Sequence, residues 1–276
     1  MSEEMNGGMD NTLTDSLSST SLTSLISLTI DGQKIQARKG QTIVQAAQKN
    51  GIYIPTLCAL HADKENGLKH DIAPGTCRIC TVKANGRTTA ACTTPVSQGL
   101  VVENDTPELN DLRKTIVELL FVEGNHFCPA CEKSGSCDLQ ALAYRYQMLA
   151  PRFHYAFAPR EVNADSPKLL LDGNRCILCR RCVLSIRTDA GHALFVFANR
   201  GDKSKITMDP ELIETISDEL AQQAMEICPV GAIIHKGKGF DTPFGKRKYD
   251  HSPIGSDTTS DTTCSSGENT TGEEKS

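Results

Sequence analysis

The chain of 276 residues has no tryptophan, and aromatic residues make up only 5% of it. An interior built mainly on large rings is therefore excluded, and something other than aromatic packing must help to organise it. No apolar run approaches the length of a membrane-crossing helix. The net charge of −5 comes without a dominant cluster of Lys and Arg, which argues against nonspecific nucleic-acid binding and makes proteins the expected partners. No GxGxxG stands between a strand and a helix and no Walker sequence occurs, so a nucleotide or flavin site is expected on another chain. The opening MSEEMNGGMD lacks the basic and hydrophobic segments of a secretory signal, and its acids disfavour a mitochondrial transit peptide. A cytoplasmic location is the expectation, and there thiols stay reduced.

What the chain has is cysteine, twelve in all. Eleven fall into three groups, and a histidine stands where a twelfth donor is needed. The first group is Cys58, Cys77, Cys80 and Cys92, spaced C-x18-C-x2-C-x11-C; the second is His126, Cys128, Cys131 and Cys137; the third is Cys176, Cys179, Cys182 and Cys228. Twelve donors suit three iron-sulfur clusters at four protein ligands each. CxxC groups in a reducing compartment read as metal or redox sites and not as a disulfide framework. Cys264 sits alone in a Ser/Thr-rich segment and is expected to be spare.

Each group is assigned a cluster on its own pattern. Four thiolates in the first predict a 2Fe-2S centre, with a four-thiolate zinc site as the alternative; His61 and His70 lie in its long gap and raise a less favoured Rieske-like alternative. The second group offers three thiolates at C-x2-C-x5-C, so His126 is the candidate fourth donor to a 4Fe-4S cluster. The alternative makes His126 a bystander, with water or an outside ligand completing the site. In the third, C-I-L-C-R-R-C followed after forty-five residues by Cys228-Pro229 matches the bacterial ferredoxin run with its remote C-P, and predicts a second 4Fe-4S cluster. Arg180 and Arg181 beside it read either as charge compensation or as a solvated basic pair. His154, His192, His235 and His251 lack ligand-like neighbours.

The intervening pattern predicts an α+β protein. Residues 1–23 are expected to form a disordered extension and 24–105 a 2Fe-2S ferredoxin-like β-grasp domain, with hairpins at Asp31-Gly32 and Asn85-Gly86, a helix over 42–50 and a strand at GLVVEN. Residues 106–150 are expected to form the helical His/Cys3 segment. Its first helix is capped by Thr106 and Pro107, buries Leu109, Leu112, Ile116, Leu119 and Leu120, and stops at Gly124. A shorter helix over 138–148 leaves the second group, and 151–167 reads as a connector. Residues 151–249 are expected to form the ferredoxin-type 4Fe-4S domain, closed by a helix over 210–225 and a strand at Ile233-Ile234. Residues 250–276 are expected to be a disordered tail.

The segments TIVELLFVEGNHFCPACEKSGSCDLQALAYRYQM, LLLDGNRCILCRRC and ICPVGAI closely resemble the HoxU-type iron-sulfur (diaphorase) subunit of NAD-reducing nickel-iron hydrogenases. A more distant resemblance is to the amino-terminal part of the large iron-sulfur subunit of complex I. The resemblance spans about residues 25–249. It implies an electron relay between a flavin subunit that binds FMN and NAD and a hydrogenase module, with no complete catalytic site on this chain. An equivalent relay in an NAD-linked formate dehydrogenase or complex I-like assembly is the alternative, and a zinc-binding structural protein is the alternative of another class. The gap from Cys58 to Cys77 is about eight residues longer than is usual in the family, an insertion that costs only about 0.5 kcal/mol in loop closure. His126 also stands nearer its first cysteine than the corresponding histidine of complex I.

Overall fold

The computed structural model describes residues 25–62, 68, 70–240 and 242–258. Cys264, most of the Cys58–Cys77 insertion and the two Ser/Thr-rich ends lie outside the described residues. The first hairpin joins β1 (Leu25–Ile30) to β2 (Gln33–Arg38) through Asp31 and Gly32, both at positive φ, the two-residue turn whose twist matches antiparallel strands. Alternation in β1 points Ile26, Leu28 and Ile30 inward, where they meet Ile43, Ala46 and Ala47 of α1 (Ile43–Lys49) in one core. A reciprocal capping box between Thr42 and Gln45 starts that helix. The second hairpin, β3 (Thr81–Ala84) and β4 (Arg87–Ala90), turns at Asn85-Gly86 in the same manner. With β5 (Val101–Glu103) the strands form a mixed sheet in the order β2-β1-β5-β3-β4, in which only β1 and β5 run parallel.

Helix α2 (Pro107–Glu123) follows its Thr106 cap, but its buried face is not the apolar stripe expected from spacing. Leu109, Arg113, Val117, Glu118 and Val122 face inward, whereas Leu112 and Leu119 are 38% and 42% exposed. The reason is polar. The Arg113 guanidinium donates to the Thr81 and Asn104 carbonyls and to Asn104 Oδ1, and the fully buried Glu118 carboxylate receives Arg152 Nε at 2.8 Å. Buried polar groups with partners thus fix the rotation of the helix in place of the leucine stripe.

Helix α3 (Asp138–Arg145) begins at the second group. Beyond it β6 (Val162–Asn163), β7 (Leu169–Asp172) and β10 (Ile233–His235) form a three-stranded antiparallel sheet in the order β10-β7-β6. Between β7 and β10 come α4 (Arg181–Ser185), the hairpin of β8 (Phe195–Ala198) and β9 (Lys205–Met208), and α5 (Asp218–Ile227). The helix expected over 210–225 is split: a short 3-10 turn covers Leu212–Glu214, and Ser217 caps α5 by accepting from the Leu220 amide. The expected start of the tail at 250 also needs correction. Asp257 accepts from Tyr249 Oη at 2.7 Å and pairs with Lys248, and Gly255 packs against Ala141 of α3. One core joins Leu57 and Ile79 of the first region to α2, α3 and the C-terminal sheets.

Candidate metal centres

The first group lies between strands. Cys77 and Cys80 occupy the turn into β3, with Arg78 at φ 59°; Cys92 leaves β4, and Cys58 comes from the segment before the insertion. Cys58, Cys80 and Cys92 are buried. Hydrogen bonding from the Cys77 and Cys92 thiols holds Cys58 well below the ordinary thiol range, and the same contacts together with burial push Cys77 and Cys92 up; the contact with Cys92 brings Cys80 down to about 7. The ends of the insertion are tied together by the Leu60–Ile72 bridge and by Asp71, which accepts from the Ala62 amide and Gln45 and pairs with His61 at 2.9 Å. His61 is thereby taken up by Asp71, while His70 is exposed.

The second group surrounds a small cavity lined by His126, Cys128, Cys131 and Cys137. Cys128 opens a 3-10 turn, and Cys137 is the N-cap of α3, its sulfur accepting from the Gln140 amide. Burial, then the charges of Arg175 and Arg160, lower His126 to about 4, so the ring is neutral and keeps a lone pair at pH 7. Its Nε2 is buried and has no hydrogen-bond partner among the described residues. A neutral, desolvated and unpartnered nitrogen beside three thiols fits a soft metal centre. Burial raises Cys128, and Cys137 to about 12.

The third group lines a separate cavity, with Cys176, Cys179, Cys182 and Cys228 all in its wall. Leu178 and Arg180, at φ 53° and 63°, reverse the backbone between the thiols so that successive cysteines face inward. Burial pushes Cys176 up to about 11 and also raises Cys179 and Cys182. Arg180 and Arg181 both line the cavity, and the Nε of each is buried without a partner among the described residues. Arg180 also stacks on Phe197 at 4.0 Å.

Arg181 answers whether the basic pair is a solvated one. It is 4% exposed, pairs with Asp138 at 3.1 Å and donates to the Ala59 carbonyl at 3.3 Å. Asp138 follows Cys137 and Ala59 follows Cys58, so one guanidinium from the third group holds segments of the other two. The Asp138 amide donates to the Pro229 carbonyl, next to Cys228, at 3.0 Å. The third group therefore lies against both others, although it comes last in the chain.

The chain is 48% identical over 226 residues to the gamma chain of the NAD-reducing hydrogenase HoxS of Cupriavidus necator, covering 82% of this chain and 93% of that one. The chain belongs to that protein's family. A chain from the crystal structure of an NAD+-reducing NiFe-hydrogenase in the H2-reduced state superposes with a TM-score of 0.72 at 42% identity, covering 84% of this chain and 97% of that one. More distant is the mitochondrial NADH-ubiquinone oxidoreductase 78 kDa subunit of Candida albicans, 34% identical over 219 residues, which cover 78% of this chain and 29% of that one. Three family descriptions match in order along the chain: a 2Fe-2S iron-sulfur cluster binding domain at residues 23–107, an NADH-ubiquinone oxidoreductase-G iron-sulfur binding region at 113–152, and an NADH-quinone oxidoreductase subunit 3 ferredoxin-like domain at 166–234. The zinc-protein reading gives way to iron-sulfur binding.

Some functional neighbours went unread in the sequence. Lys133, also buried, donates to the Met225 and Glu226 carbonyls at the end of α5, tying the loop of the second group to the helix that delivers Cys228. A basic residue inside a cysteine-rich loop was the available signal, but its partners lie over ninety residues away. No helix among the described residues is long and apolar enough to cross a membrane.

Proposed function

We propose that this chain carries one 2Fe-2S cluster on Cys58, Cys77, Cys80 and Cys92, one 4Fe-4S cluster on His126, Cys128, Cys131 and Cys137, and one 4Fe-4S cluster on Cys176, Cys179, Cys182 and Cys228. With these it relays electrons between a flavin subunit that binds FMN and NAD(H) and a hydrogenase module, in the cytoplasm. The observation that supports the reading is the junction at Arg181, whose contacts with Asp138 and Ala59 lay a segment of the third group against segments of the other two. Bound clusters would supply one-electron redox sites at the three positions. The residues of the chain do the rest: buried thiols exclude water, Arg180 and Arg181 offset thiolate charge, and neutral His126 gives a donor that adds none.

A relay in a formate dehydrogenase or complex I-like assembly has less support, because identity falls from 48% with the hydrogenase protein to 34% with the Candida protein, most of which has no counterpart here. Anaerobic, iron-replete production should give about ten irons and about ten sulfides per chain. The isolated chain should not oxidise NADH with a dye as acceptor, and the copurified complex should. Stoichiometric zinc with little iron would refute the cluster assignment, and NADH oxidation by the isolated, flavin-free chain would refute the relay.

A further inference from the structure

Glycine is placed in this fold for two different reasons. Every described glycine other than Gly124, Gly173 and Gly231 has a φ between 65° and 91°, where an L side chain is strained. Those three do not, so conformation does not require glycine there and space must. A Cβ at Gly231 would stand 2.6 Å from Cys131 Sγ and 3.3 Å from Lys133 Cβ; one at Gly124 would stand 2.6 Å from His126 Nε2 and 2.9 Å from the Asn174 carbonyl oxygen. Two of the three glycines required for space thus abut candidate donors of the second cavity.

Gly231 is the unexpected member. In sequence it belongs to C-P-V-G, three residues after a donor of the third group. In space the segment is a wall shared by both cavities: Cys228, Val230 and Ala232 face the third and Gly231 faces the second. The wall has little freedom to move. The Pro229 carbonyl accepts from the Asp138 amide, the Gly231 carbonyl accepts from Arg175 at 3.3 Å, and the Ala232 carbonyl accepts from the Asp172 amide at 2.8 Å. A thiolate committed to a cluster cannot rotate aside either.

We propose that Gly124 and Gly231 are positioning residues of the second centre, each withholding a Cβ so that a donor can take its place, and that Gly231 does this from the segment that serves the third centre. The proposal rests on the cluster assignment given above. Gly124 is accordingly not a left-handed helix stop, since its φ of −106° is not in that region.

The test uses the full chain, copurified with its partner subunits under anaerobic, iron-replete conditions, as wild type and as Gly231→Ala, Gly124→Ala and Val230→Ala. The readouts are iron and sulfide content, the paramagnetic resonance signal of each centre and their midpoint potentials. Gly231→Ala should lose the second-centre signal, with iron falling from about ten to about six per chain, while the first and third signals stay. Gly124→Ala should shift or broaden the second signal alone, and Val230→Ala should perturb the third alone. Wild-type signal and potential for the second centre in both glycine variants would overturn the proposal. So would loss of the third centre along with the second in Gly231→Ala, or loss of the first-centre signal in both variants, which would make these glycines part of general packing. A wild type that lacks a second cluster altogether would instead refute the cluster assignment.

Discussion

The second and third cavities each gather four candidate donors and differ in their chemistry. Both face the problem of holding negatively charged thiolates out of water, where an uncompensated charge is expensive. The third cavity keeps four thiols and brings cations: Arg180 and Arg181 stand in its wall with buried Nε–H groups that have no partner among the described residues, although Asp138 answers part of the Arg181 charge. The second removes a charge at source by replacing one thiol with an imidazole that burial keeps neutral. Its Arg175 is engaged by Glu132 and Asp172, and with Arg160 it still helps burial to keep His126 neutral. Compensation by neighbours and compensation by donor choice are different designs, and they respond differently to substitution.

The largest expected effect comes from Arg181→Ala. It leaves the Asp138 carboxylate and the Ala59 carbonyl without their shared partner and should cost about 2–3 kcal/mol, read by denaturant unfolding of the complex. It should also lower the third-centre potential, because positive charge and N–H donors near sulfur favour the reduced state. An unchanged third-centre potential would remove the idea that cations compensate this cavity. Next in size is His126→Cys, which makes the second cavity resemble the third. The added thiolate should drive the second-centre potential down with iron content retained, whereas His126→Ala should leave a labile centre. An unaltered second signal and potential in His126→Ala would make the histidine a bystander.

Smaller still is Arg180→Gln. The loss of stacking on Phe197 is worth about 0.5–1 kcal/mol, and the third-centre potential should fall by less than in Arg181→Ala, because Arg180 is the less buried of the two. The second-centre potential should not move. A shift of equal size in both centres would mean that the two cavities share one electrostatic environment.

Much of this was readable from local pattern. The hairpins at Asp31-Gly32 and Asn85-Gly86, the short helix after Thr42 and the capped start at Thr106 all depend on residues close in sequence. What escaped depends on distant partners. Leu112 and Leu119 read as core because nothing nearby reveals that Arg113 meets Thr81 and Asn104, or that Glu118 meets Arg152 from thirty-four residues away. Chain order likewise concealed the central place of the third group, since the contacts of Arg181 with Ala59 and Asp138 span 122 and 43 residues.

The smallest expected effect is an absence of pH dependence, and it separates the two designs most cleanly. Burial, aided by Arg175 and Arg160, lowers the His126 ring from its ordinary 6.5 to about 4. The second-centre potential should therefore stay level between about pH 6 and 8, the range in which an ordinary histidine nearby would gain a proton and raise it. The sign for stability follows from proton counting. As pH falls below about 6.5 the unfolded chain takes up a proton that the folded ring refuses until about 4. Stability contributed by the neutral ring is thus complete above about 6.5 and declines as pH falls through that window. Acid should accordingly loosen the second site over that window. Redox titration at several pH values, with the two resonance signals followed separately, tests both statements. A second-centre potential that rises as pH falls from about 8 to about 6 would show that burial does not hold the His126 ring neutral over that range.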